Sequence, residues 1–275
     1  MTSSPPARRF DWTNLRMRVA SATVLIAGVL VALWFGGWVW LLMIAIATAL
    51  LANEWGVMSA PSAPWRISAS ITVGVLMAVF AAYFDELWLA WALVVAGAAA
   101  AAVVARGVAE RPADAAYGVI YIAPACISML WLREMPHGRS WATLLFAVAW
   151  SADTCAFLVG SVLKGPKLWP RFSPNKTWSG FFGGLAGAMA AAVLVATFSE
   201  ATLVWYAAAL VGLVGGLATM AGDLWESALK RRFGVKDSGD LIPGHGGLLD
   251  RVDGLMFAAV VIAGARLIDH WGWAH

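Results

Sequence analysis

Long apolar runs separated by short polar segments set the pattern of this chain. At the roughly 20 residues that an α-helix needs to cross a hydrocarbon core, the runs predict nine helices, at 19–35, 38–52, 67–84, 87–105, 117–132, 141–162, 180–198, 202–222 and 254–268. Within each run the Ala, Val and Leu positions are continuous rather than alternating. That excludes a transmembrane β-barrel, whose strands alternate lipid-facing and lumen-facing residues. Inside a bilayer every backbone N–H and C=O needs an internal partner, and a helix supplies one. The expected fold is all-α: a polytopic helical membrane protein of about nine transmembrane helices. Residues 1–132 form its N-terminal helices, and 133–275 form a C-terminal region that carries two polar loops, 163–179 and 223–253.

Composition strengthens this reading. Hydrophobic residues make up 61% and charged residues 13%, against about 25% charged in a soluble domain, so lipid is the main solvent. Many of the 17 tryptophans, among them Trp34, Trp38, Trp88, Trp91, Trp141 and Trp271, fall near the ends of apolar runs, where an indole sits at headgroup level. Cys126 and Cys155 lie inside apolar runs without metal-ligand spacing, so neither a disulfide framework nor a zinc site is read. The first run follows Arg8, Arg9, Arg16 and Arg18 with no small-residue cleavage site, and reads as a retained span.

Charge orients the bundle. With nine spans, segments 1–18, 53–66, 106–116, 163–179 and 223–253 share one side and hold sixteen of the nineteen Lys and Arg residues, leaving Arg133, Arg139 and Arg266 opposite. The positive-inside rule then puts the N-terminus and both polar loops in the cytoplasm and the C-terminus outside. The net charge of +3 is modest, and no nucleic-acid partner is expected.

The loops carry the candidate chemistry. If the eighth helix continues past Asp223, then Glu226, Ser227, Lys230 and Arg231 follow at offsets of three, four, seven and eight and share its face. After the turn Gly244-His245-Gly246-Gly247, Asp250 and Asp253 lie three apart, so both carboxylates point the same way on a helical turn. Such acids make a hard-oxygen site of the type Mg²⁺ accepts, especially with substrate phosphates as further ligands. Lys230, Arg231, Lys236 and Arg251 suit phosphate oxygens, and glycines let a backbone approach an anion. Asp153, inside the sixth run beside Ser151 and Thr154, is an ionisable residue in a span and so a functional candidate. The competing readings are a solvated loop with locally paired charges and a basic 163–179 segment that meets anionic headgroups. Two other functions compete. One is another membrane enzyme of phosphate chemistry, such as a lipid kinase or a CDP-alcohol phosphotransferase, though the latter's Asp-Gly-x-x-Ala-Arg run is absent. The other is a transporter, which predicts a repeated half-structure where the sequence has no repeat of fixed period.

Ser227-x-x-Lys230-Arg231, Lys236-Asp237-Ser238-Gly239, Pro243-Gly-His245-Gly-Gly and Leu249-Asp250-Arg251-x-Asp253 together resemble the signature of the phosphatidate cytidylyltransferases, or CDP-diacylglycerol synthases. Ser151-Ala-Asp153-Thr154 and Ser173-Pro174-Asn175-Lys176-Thr177-Trp178 look like two further family blocks in the same order. The motif-bearing resemblance covers 150–255. Ser179, Cys155 and Arg232 depart from it, where members often have Glu, a small residue and an acid.

The resemblance implies conversion of CTP and phosphatidate to CDP-diacylglycerol and pyrophosphate. It implies Asp223 and Asp250 as holders of Mg²⁺, a second metal ion being left open, with Asp253 and Ser227 completing or orienting that shell. Lys230, Arg231 and Arg251 would grip phosphates. Asp153, Ser173, Lys176, Thr177, Lys236, His245, Gly246 and Gly247 would join them in binding CTP or the lipid phosphate. The implied partners are CTP, phosphatidate and membrane lipid, with a homodimer left open. The implied location is the bacterial inner membrane, the site facing the cytoplasm.

Overall fold

The computed structural model describes residues 12–108, 111–170, 173–201, 203–243 and 246–272. Among them nine helices follow in chain order: α1 (Trp12–Phe35), α2 (Gly37–Ser59), α3 (Pro64–Tyr83), α4 (Leu87–Val104), α5 (Pro112–Glu134), α6 (Gly138–Leu163), α7 (Trp178–Phe198), α8 (Trp205–Arg232) and α9 (Leu249–Gly272). They match the nine predicted runs one for one. Among the described residues, eight helices, α1 to α8, are long and apolar enough to cross a membrane. The ninth, α9, has 24 residues, about 36 Å at 1.5 Å per residue, and its apolar middle lies between Asp250, Arg251 and Asp253 at one end and Arg266 and Asp269 at the other. The chain is therefore a polytopic all-α membrane protein.

Two helices overrun their apolar runs in ways that matter. α2 continues through Glu54 and Trp55 to Ser59, and α8 continues to Arg232, which meets the condition for one face to carry Asp223 through Arg231. The segment 163–179, read as a loop, holds a two-stranded antiparallel ribbon, β1 (Lys167–Trp169) and β2 (Ser173–Thr177), with Lys167 opposite Thr177 and Trp169 opposite Ser173. Strands of three and five residues are too short to carry a periodic signal. Pro174 is tolerated because both strands of such a ribbon are edges.

Helix α5 ties the bundle together. It packs on α2, α3 and α4 and also on α6 and α9, burying Val119, Ile122, Ala123, Leu130 and Leu132. In lipid, helices associate through close packing rather than expulsion of water, so small residues mark the crossings. Gly74 of α3 meets Gly97 of α4 in this way: a Cβ on Gly74 would stand 3.1 Å from the Gly97 Cα. Two arginines away from the polar loops are also partnered. Arg133 donates to the Leu33 carbonyl at 2.7 Å, and Arg266 pairs with Asp269 and donates to the Pro136 carbonyl at 3.2 Å.

Candidate active site

Helices α6 to α9 and the ribbon line an open cavity of about 650 Å³. Its lining mixes apolar side chains, Ala156, Phe157, Phe181 and Met220, with the charged groups of Asp153, Lys176, Asp223, Lys230, Asp250, Arg251 and Asp253. The acids are brought together by a close crossing of α8 and α9. A Cβ on Gly222 would lie 2.5 Å from the Asp253 carbonyl oxygen and 3.0 Å from the Gly254 Cα, so only glycine fits. Asp223 follows Gly222 and Asp253 precedes Gly254, so the crossing sets these two acids side by side. Asp253 has Asp223, Glu226 and Asp153 as electrostatic neighbours, and Asp153 has Asp223, Lys176 and Arg251. Three helices thus direct carboxylates to one pole, where like charges repel and favour a cation. Lys176 of β2 forms an ion pair with Asp223 there.

A second network anchors Lys230. Its ammonium lies 2.6 Å from Glu226 Oε2 and 2.6 Å from Asp250 Oδ1. Asp250 Oδ2 accepts from the Ser238 amide at 3.0 Å, the Ser238 hydroxyl at 3.0 Å and the Gly247 amide at 3.1 Å. Asp250 therefore sits between the loop and Lys230 with both oxygens engaged, while Asp153 and Asp253 face the other carboxylates.

The pattern of the cytidylyltransferase family matches residues 16–267. This chain belongs to the cytidylyltransferase family. Among its relatives, the phosphatidate cytidylyltransferase of Brucella suis biovar 1 is 40% identical over 257 residues, which cover 91% of this chain and 92% of that protein. The enzyme of the same name from Brucella abortus biovar 1 matches equally, at 40% over 257 residues. That of Staphylococcus saprophyticus is 39% identical over 145 residues, 52% of this chain and 56% of that protein. The full-length matches extend the likeness to the N-terminal helices, which had no motif to offer.

Against this cytidylyltransferase background the remaining predicted residues divide. Thr177 lines the cavity and also caps α7, its hydroxyl accepting from the Gly180 amide at 3.2 Å. Ser173 opens β2 opposite Trp169 and lies off the cavity lining, as do Ser227, Arg231 and Lys236. Arg231 donates to the Val235 carbonyl at 3.4 Å. Gly246, at φ +84°, takes a left-handed turn that costs other residues energy, and its carbonyl accepts from the Ile242 amide at 2.8 Å. His245 lies outside the described residues. Asn175 and Asp237, quoted within motifs but not singled out, line the cavity. Glu54 was missed altogether; the signal was an acid in the polar continuation of the second apolar run.

Cytidylyl transfer generally calls for a divalent ion. Among the described residues no three His, Cys, Asp or Glu side chains form a ready-made metal cluster. Asp153, Asp223 and Asp253 nonetheless offer hard oxygens of the kind Mg²⁺ takes, one or two carboxylates sufficing when waters and substrate phosphates complete its shell.

Proposed function

We propose that the chain transfers the cytidylyl group of CTP to phosphatidate, giving CDP-diacylglycerol and pyrophosphate, at the cytoplasmic face of a bacterial inner membrane. The observation that carries this reading is the cavity's mixed lining, in which carboxylates and cations share one cavity with apolar side chains. Phe157 of that lining is 73% exposed, as suits a lipid whose phosphate reaches the charged groups while its tails stay in the bilayer.

A phosphate oxygen of phosphatidate attacks the α-phosphorus of CTP in line. The bond from that phosphorus to the bridging oxygen breaks, and pyrophosphate leaves with the electron pair. Phosphatidate is already anionic near neutral pH, so no residue has to remove a proton. Lys176, Lys230 and Arg251 neutralise phosphate oxygens in this scheme, Arg251 by a two-pronged contact and the lysines as point charges. Asp223 and Asp253, with Asp153 beside them, would hold Mg²⁺, and Asp250 serves chiefly to hold Lys230. When bound, the ion would neutralise charge developing on the transferred phosphoryl group. Gly246 and Gly247 keep the adjoining turn tight.

The test is transfer of label from CTP marked at the α-phosphate into a chloroform-soluble product by the purified protein in detergent. Transfer is expected to require phosphatidate and Mg²⁺, and label at the γ-phosphate is expected to stay in water-soluble pyrophosphate. Lipid labelling from the γ-position would replace this reading with a lipid kinase.

A further inference from the structure

Glu54 belongs to the N-terminal half of the chain yet is spent on the C-terminal loop. It stands near the end of α2, 3% exposed. Its Oε1 accepts the Leu248 amide at 2.7 Å and its Oε2 the Leu249 amide at 2.7 Å, while the Ser238 hydroxyl lies 3.2 Å from Oε2. Leu248 and Leu249 stand at the start of α9, where amides have no intrahelical acceptor and the helix dipole favours negative charge. A cap of this kind usually comes from the residue just before the helix. Here it comes from another helix nearly two hundred positions away, so it fixes α9 to α2 as well as satisfying the amides.

The contact reaches the cavity through Ser238. That hydroxyl lies within 3.0 Å of Asp250 Oδ2 as well as near Glu54, and with one proton it can donate to only one of them at a time. The Ser238 and Gly247 amides also hold Asp250 Oδ2, which leaves Oδ1 for Lys230 at 2.6 Å. Glu54 itself does not line the cavity. The loop closes tightly on it: a Cβ on Gly247 would come within 2.8 Å of Glu54 Oε2.

We propose that Glu54 is a positioning residue for cytidylyl transfer, fixing Ser238, Leu248 and Leu249 on α2 and, through Ser238, the geometry of Asp250 and Lys230. This role rests on the assignment of Asp250 and Lys230 to the site.

The experiment uses the full-length protein in detergent with Glu54→Gln, which keeps the shape but loses the charge and one acceptor. The expected result is a kcat lowered about 10- to 100-fold, the range for residues that orient a site from behind, with KM for CTP changed far less. Hydrogen exchange is expected to quicken in 238–249 and stay unchanged in α3 and α4, and Glu54→Asp, which keeps the charge, is expected to recover part of the rate. A parent-like kcat in folded Glu54→Gln overturns the role, as does a slow variant whose 238–249 segment exchanges no faster. Should Glu54→Gln fail to fold, Ser238→Ala decides, since it removes only the linking hydroxyl, and a parent-like kcat there overturns the relay. Lys230→Ala separates the two levels. A parent-like kcat in that variant overturns the site assignment and this role together, whereas a slow Lys230→Ala beside a parent-like Glu54→Gln overturns only the role of Glu54.

Discussion

Two helix crossings in this bundle use the same device for different ends. Gly74 of α3 meets Gly97 of α4, and Gly222 of α8 meets Gly254 of α9, each pair leaving no room for a Cβ. What differs is the neighbours. Val73, Val75, Ala96 and Ala98 flank the first pair, whereas Asp223 follows Gly222 and Asp253 precedes Gly254. Close approach is thus a property of the fold, needed because small residues at crossings give helices their packing in lipid. Chemistry enters only where the approach carries acids on its shoulders.

The contrast can be broken at several points. Lys230→Ala has the largest expected effect, because it leaves Glu226 and Asp250 without their shared cation. Removing one member of a buried ionic group costs roughly 3–5 kcal/mol, read as a fall in melting temperature, and Lys230→Arg is expected to restore only part of it. Gly222→Ala and Gly74→Ala come next. Each overpacks a crossing and is expected to cost about 1–3 kcal/mol of stability. Gly222→Ala alone is expected to slow turnover of the folded protein, by on the order of 10²-fold, because it displaces Asp223 from Asp253. Equal turnover in the two variants would erase the distinction between the crossings. Thr177→Ala removes the cap of α7 and is expected to cost about 1 kcal/mol, with some loss of rate since Thr177 also lines the cavity. Smallest is Trp40→Phe, which removes the hydrogen bond from the buried Trp40 indole to the Met129 carbonyl at 3.1 Å. It is expected to cost about 1 kcal/mol and leave kcat unchanged.

The sequence made much of this legible, for physical reasons that also explain what it hid. Among the described residues the nine apolar runs give nine helices, eight of them long and apolar enough to cross a membrane, because a bilayer demands continuous hydrogen-bonded spans. The stripe from Asp223 to Lys230 was readable because a helix repeats its face every three to four residues. The ribbon at Lys167–Trp169 and Ser173–Thr177 was not, since its strands are too short to alternate visibly. Nor could spacing tell Asp250 from Asp253: they lie one turn apart, yet Asp250 turns to Lys230 and Ser238 while Asp253 neighbours Asp223 and Asp153. That division depends on where α8 crosses α9, and it is set by Gly222 and Gly254, which carry no chemistry themselves. Glu54 was hidden for a similar reason, its partners lying in a different half of the chain.

The central claim is that the acids at the α8–α9 crossing form the catalytic pole. It is tested most directly by Asp223→Asn, which removes one charge at nearly constant shape. The measurement is the initial rate of α-label transfer from CTP to lipid by parent and variant, with equal folding checked by thermal unfolding. The predicted result is a folded variant slowed by about 10²- to 10³-fold, the cost of deleting one preorganised electrostatic contact. A folded Asp223→Asn that transfers label at the parent rate would contradict the claim.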